Sequence, residues 1–192
     1  MITSNEKKIL KYLLVNFNRD GSINQIAKEC GLSPNGAYKI FKKLEKEEIV
    51  KKNKIANLIS YKINFTEKSR RILELSFMEQ FSGKFQQRYN DLLPLREVTD
   101  VAVIFGSYLQ KSNSHDLDIL FIVKKSSFKR YKVLLQEQQE IIPLPIHDIV
   151  QTKEDFIDHF KDNAVLKEAV SSGLVLWGHS LLVEVIENAW KR

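Results

Sequence analysis

Ser114-His115-Asp116-Leu117-Asp118-Ile119-Leu120-Phe121-Ile122-Val123 opens on two carboxylates and runs on as an unbroken apolar stretch. Before it, Val101-Ala102-Val103-Ile104-Phe105 ends at Gly106-Ser107, with Gly106 ten residues ahead of Asp116. Both runs read as buried strands, with a turn and a loop between them. On an extended strand, side chains two apart share a face about 7 Å apart, so Asp116 and Asp118 converge while Leu117, Ile119 and Phe121 enter a core. At an oxygen spacing of about 5 Å, two ionised carboxylates repel by roughly 3 kcal/mol in an effective dielectric of about 20. A divalent cation reverses the sign of that interaction, so the pair reads as a Mg²⁺ site, with Mn²⁺ as the alternative. Asp-x-Asp at a strand mouth is also a common solvated strand start. The apolar run and Gly-Ser turn before it, and a second acid-bearing strand after it, favour the metal.

That second strand is Leu144-Pro145-Ile146-His147-Asp148-Ile149-Val150. A carboxylate among apolar residues needs a partner, because an uncompensated buried charge is expensive. Neighbours on a strand point to opposite faces, so if Asp148 joins the first pair, His147 turns away from it. Of the other histidines, His159 and His179 lack partners at metal-ligand spacing, and His115 can touch a phosphate if its backbone is still loop.

Phe105-Gly106-Ser107, Asp116-Leu117-Asp118 and Asp148 together resemble the polymerase-β-type nucleotidyltransferase superfamily. Its pattern is an apolar residue, Gly, Gly or Ser, a loop, Asp-apolar-Asp, and a third carboxylate on a following strand. Ser172-Gly173-Leu174-Val175-Leu176-Trp177-Gly178 is similar to the closing strand of the minimal nucleotidyltransferases, and the resemblance covers residues 96–192. It implies that Asp116, Asp118 and Asp148 are the catalytic and metal-binding residues. It further implies that Gly106 and Ser107 contact the phosphates of a nucleoside triphosphate, taken as ATP, and that the nucleoside monophosphate passes to an acceptor hydroxyl. Glycine permits close backbone approach and serine can donate to a phosphoryl oxygen. Where minimal members commonly continue with Ala-Arg-Gly, this chain has Leu109-Gln110-Lys111. Lys111 either replaces the missing positive charge beside the nucleotide or is a solvated lysine.

Charge divides the chain. Residues 1–71 hold 16 Lys and Arg against 7 Asp and Glu, a net of +9, and residues 72–192 hold 14 against 17, a net of −3. In the basic third, Thr3-Ser4-Asn5-Glu6 is a capping-box pattern ahead of Ile9, Leu10, Leu13, Leu14 and Phe17, which predicts a helix over 4–17. Ser22-Ile23-Asn24-Gln25 opens a second helix with Ile26, Ala27 and Cys30 inward. After Gly31, Ser33-Pro34 starts a third, with Ser at the N-cap and Pro at N1. Ala37, Ile40, Phe41 and Leu44 form its apolar stripe and leave the lysines outside. Val50 to Lys54 and Leu58 to Ile63 then alternate as a hairpin. This is helix-turn-helix organisation with a lysine-rich wing, similar to many prokaryotic transcription regulators. The candidate interface with double-stranded DNA is Asn35 and Tyr38 for base edges and Lys39, Lys42, Lys43, Lys51, Lys52 and Lys54 for phosphates.

The fold class expected is α+β: an N-terminal winged helix-turn-helix domain over 1–65, a linking helical segment over 66–95, and a nucleotidyltransferase-like mixed sheet with flanking helices over 96–192. Strands are expected near 99–105, 117–123, 145–150 and 174–177. The linking helix either dimerises the chain or packs on one of its own domains. The start of the chain lacks the apolar core of a signal peptide, no eighteen apolar residues run together, and the single cysteine excludes an internal disulfide. A cytoplasmic protein with no membrane segment is expected. Two functions stay open. One is a Mg²⁺-dependent nucleotidyltransferase coupled to DNA binding; here the resemblance implies antitoxin-like members that modify a HEPN-type partner protein and repress their own operon. The other is a transcription regulator whose transferase domain has lost turnover and senses a nucleotide or holds a partner.

Overall fold

A computed structural model describes residues 2–55, 58–79, 81–110 and 114–192. The chain forms two compact units, Met1–Phe77 and Met78–Arg192. The division falls inside the 66–95 segment: its first helix, Glu67–Phe77, belongs to the N-terminal unit, and its second, Gly83–Leu92, to the C-terminal one.

The N-terminal unit runs α1 (Ser4–Val15), α2 (Ile23–Glu29), α3 (Pro34–Lys46), β1 (Val50–Ile55), β2 (Leu58–Ile63) and α4 (Glu67–Phe77). Thr3 caps α1 in a full capping box with Glu6, and Asn16 caps the end of the helix one residue before Phe17. Ser22 and Ser33 cap α2 and α3 through the backbone N–H groups of Gln25 and Gly36. Gly31, at φ +66°, makes the turn between them, a conformation glycine adopts without steric cost. Ile9, Leu10, Leu14, Ile26, Ala27, Ala37, Phe41, Leu44, Ile49, Leu73 and Phe77 form the buried core. Phe41 stacks on Tyr61 of β2 with ring centroids 4.6 Å apart, which fastens the hairpin to α3.

The C-terminal unit contains α5 (Gly83–Leu92), β3 (Thr99–Phe105), α6 (Ser107–Gln110), β4 (Leu117–Val123), α7 (Phe128–Ile141), β5 (Ile146–Gln151), α8 (Lys153–His159), α9 (Ala164–Ser172), β6 (Leu174–Trp177) and α10 (His179–Lys191). Its four strands lie in the order β5-β4-β3-β6. β3 pairs antiparallel with β4 and with β6, and β4 pairs parallel with β5. The sheet is therefore mixed, and α7 supplies the crossover that a parallel pair requires. β3 and β4 are the central strands and are almost wholly buried, which is why they read as continuous apolar runs. β5 is an edge strand with no fully buried position. Trp177 packs inside this unit, its Nε1 donating to Thr99 Oγ1 at 3.1 Å and its ring edge-on to Tyr89. Among the described residues no helix is long and apolar enough to cross a membrane.

Candidate functional site

In the N-terminal unit, the caps and apolar stripe of α3 fix which of its residues face out. Ala37, Phe41 and Leu44 are buried, so Asn35, Tyr38, Lys39, Lys42 and Lys46 lie exposed. Tyr38 is 51% exposed, unusual for a large aromatic side chain, and Lys42 Nζ sits 5.8 Å from its ring centroid. Lys42 also meets Glu45 Oε2 at 3.1 Å, the main cause of its raised pKa. Exposed pairs of this kind are weak and exchange readily for other anions.

Lys43 differs from the other expected phosphate contacts. Its Nζ donates to Glu6 Oε1 at 2.7 Å, and Glu6 is 5% exposed and also receives the Thr3 N–H at 2.8 Å. Burial alone pushes the Glu6 carboxyl up, but the bonds from Lys43 and Thr3 together hold it below the ordinary glutamate value. Lys43 thus ties α3 to α1. Lys42 and Lys43 flank the buried 37/41/44 stripe on opposite sides and are equally exposed, at 47% and 48%, but Lys43 lies on the flank that meets α1 and Glu6. On the wing, Lys51, Lys52 and Lys54 are exposed. Strand alternation divides them: Lys52, opposite Tyr61, and Lys54 share the face of Val50 and Ile63, whereas Lys51, opposite Lys62, takes the other.

In the C-terminal unit, β3 delivers Gly106 and Ser107 to the end of the sheet where β4 begins, with Phe105 opposite Asp118. Gly106 has φ +73°, and a Cβ on it would stand 2.3 Å from Asp118 Oδ2. The carboxylate therefore lies directly on bare backbone. Ser107 Oγ donates to Asp116 Oδ1 at 2.9 Å. Ser114 Oγ lies 2.7 Å from Ser107 Oγ and 3.2 Å from the same carboxylate oxygen. The Ser107 bond, with help from Ser114 and His147, lowers the Asp116 pKa. Asp116 and Asp118 thus converge beside the Gly-Ser bend; Lys111 lies outside the described residues.

The third acid is elsewhere. In the parallel pairing of β4 and β5, His147 stands opposite Asp118 and Asp148 opposite the buried Ile119. Asp148 accordingly points to the other face, where Oδ2 accepts from Tyr131 Oη at 2.8 Å and lies 3.4 Å from Lys132 Nζ. Tyr131 is fully buried, and burial followed by the Asp148 bond drives its phenol pKa far upward. The expected Asp116/Asp118/Asp148 set is corrected on this point, and so is the expectation that His147 turns away. The alternation rule holds, but with the opposite parity.

His147 Nδ1 lies 3.5 Å from Asp118 Oδ1 and 3.8 Å from Asp116 Oδ2. One donor atom from each of Asp116, Asp118 and His147 falls within 4.8 Å of the others. Ligands about 2.1 Å from a small divalent cation lie about 3 Å apart when adjacent, so a modest inward closure suffices. Two carboxylates and an imidazole, with one carboxylate seated in a cradle that a Cβ would fill, fit a divalent cation.

Residues 2–51 match the family described as winged helix-turn-helix DNA-binding. No curated protein and no solved structure matches the chain. The exposed basic helix, the paired wing and this match agree: the chain carries an N-terminal winged helix-turn-helix DNA-binding domain.

Proposed function

We propose that the protein is a DNA-binding transcription regulator whose C-terminal domain resembles a nucleotidyltransferase and uses its acidic pair to bind a nucleoside triphosphate with a divalent cation. The observation that carries the regulator reading is the outward face of α3, with Tyr38, Lys39 and Lys42 exposed on a domain of the DNA-binding family. Withdrawal of Asp148 into its bond with Tyr131 supports binding over turnover, because the acid that the resemblance assigns to activating the acceptor faces away. When bound, the cation would neutralise phosphate charge. Asp116 and Asp118 would hold it, Ser107 would turn its one hydroxyl proton from Asp116 Oδ1 to a phosphoryl oxygen, and Gly106 would leave room for the phosphates. Fluorescence anisotropy of the full chain on a labelled duplex tests the proposal, titrated at several salt concentrations with and without ATP and Mn²⁺. Salt-dependent binding whose affinity shifts with nucleotide is expected. Binding that ignores nucleotide refutes the sensor, and no binding at low salt refutes the regulator.

A second reading keeps catalysis: transfer of a nucleoside monophosphate from ATP, with Mg²⁺ or Mn²⁺, to an acceptor hydroxyl such as one on a HEPN-type partner protein. The close packing of Gly106 on Asp118 and of Ser107 on Asp116 favours it. Intact-mass measurement after incubation with each triphosphate and candidate acceptors decides. An adduct lost in Asp116→Ala supports transfer, and no adduct leaves the regulator.

A further inference from the structure

We infer that His147, not Asp148, is the third protein ligand of the cation held by Asp116 and Asp118, and that the site takes one transition-metal cation such as Mn²⁺ in preference to Mg²⁺. The inference rests on the cation reading above and adds to it the identity of the third donor and of the metal.

Three observations carry it. First, register places His147 opposite Asp118 across β4 and β5, with Nδ1 3.5 Å and 3.8 Å from the two carboxylates. Second, Asp148 is committed elsewhere. To reach the pair it would have to leave Tyr131 Oη, stranding a fully buried hydroxyl without a partner. Lys132 Nζ, 3.4 Å away, also places positive charge on the Asp148 side of the strand, where a cation would be repelled. Third, the donors differ in kind from an all-carboxylate set. Mg²⁺ favours hard oxygen ligands in strict octahedral geometry and gives up water reluctantly, whereas imidazole nitrogen suits first-row transition metals, Zn²⁺, Cu²⁺, Fe²⁺ and Ni²⁺ most and Mn²⁺ least, so Mn²⁺ is the weakest-binding of the expected ions and the one that a spin probe reads. Charge sets the number of ions. Two carboxylates and a neutral imidazole carry −2, which balances one dication, where three carboxylates would favour a second.

Mn²⁺ electron paramagnetic resonance on the full chain without nucleotide tests this, since the sharp signal of aqueous Mn²⁺ is lost on binding. The native chain is expected to bind Mn²⁺, to show nitrogen hyperfine coupling in the pulsed experiment, and to resist displacement by Mg²⁺. His147→Ala should abolish the coupling and weaken binding by at least roughly tenfold, the least that even an outer-shell partner is usually worth. Its side chain is 61% exposed, so truncation leaves the core intact. Asp148→Asn should bind as the native chain does, and His147→Asp should shift preference toward Mg²⁺. Bound Mn²⁺ without nitrogen coupling, or binding lost in Asp148→Asn and kept in His147→Ala, overturns the assignment and leaves the cation reading standing. No Mn²⁺ uptake by the native chain at millimolar metal removes both.

Discussion

Gly106 shows how little freedom the acidic pair has. Any side chain there meets Asp118 Oδ2 and must also hold φ at +73°, a conformation that costs a non-glycine residue about 1–3 kcal/mol. Gly106→Ala should therefore destabilise the C-terminal unit by that amount in a denaturant titration and abolish Mn²⁺ binding. Lys39 and Lys43 offer a paired test on α3. Lys39 is exposed, whereas Lys43 is engaged by Glu6. Lys39→Ala should reduce the slope of log affinity against log salt on duplex DNA by about 1, and Lys43→Ala should leave the slope unchanged while lowering the melting temperature of the N-terminal unit. Glu6 adds a pH dependence. Because its folded pKa is lowered, its contribution is complete above the unfolded value of about 4.3 and is lost as pH falls through the folded value. The stability difference between the native chain and Glu6→Gln should accordingly shrink as pH falls below the unfolded value of about 4.3, measured by thermal melts on either side of it.

Among the elements, those with a strong local signal form where the residues foretell them. Thr3, Ser22 and Ser33 cap the first three helices because their hydroxyls satisfy backbone N–H groups within three residues, a relation visible in a short window. β3, β4 and β6 are legible because burial on both faces makes them apolar throughout. β5 is the counterexample. As an edge strand with every position at least partly exposed, it has no in-out hydrophobic alternation to tell which of His147 and Asp148 faces the acidic pair. The Lys43–Glu6 and Tyr131–Asp148 bonds were equally illegible, since partners 37 and 17 residues apart meet only once the helices have packed. Tyr131→Phe measures the second bond. Losing a hydrogen bond to a charged group should cost about 1.5–3 kcal/mol in chemical denaturation, with Mn²⁺ affinity unchanged because Asp148 lies off that face.

For the whole molecule, the charge division and the structural division nearly coincide: the positive excess lies within residues 1–71, and the first compact unit ends at Phe77. Each unit has its own buried core. A fragment ending at Phe77 is therefore expected to fold and to bind duplex DNA with the salt slope of the full chain, since counterion release scales with the lysines in contact; loss of binding on truncation would show that the acidic unit contributes to recognition.

The half-solvated character of β5 has one further consequence. Sliding a strand by one position exchanges its two faces, and because β5 has no fully buried side chain of its own, the slide here is opposed chiefly by the bond from the buried Tyr131 to Asp148. Deleting a single residue from the Pro143–Pro145 connection would bring an oxygen donor to the place now held by the imidazole. A magnesium-type ligand set is thus one register step away, at the cost of the Tyr131 hydroxyl's partner, a cost that a Tyr131→Phe background removes.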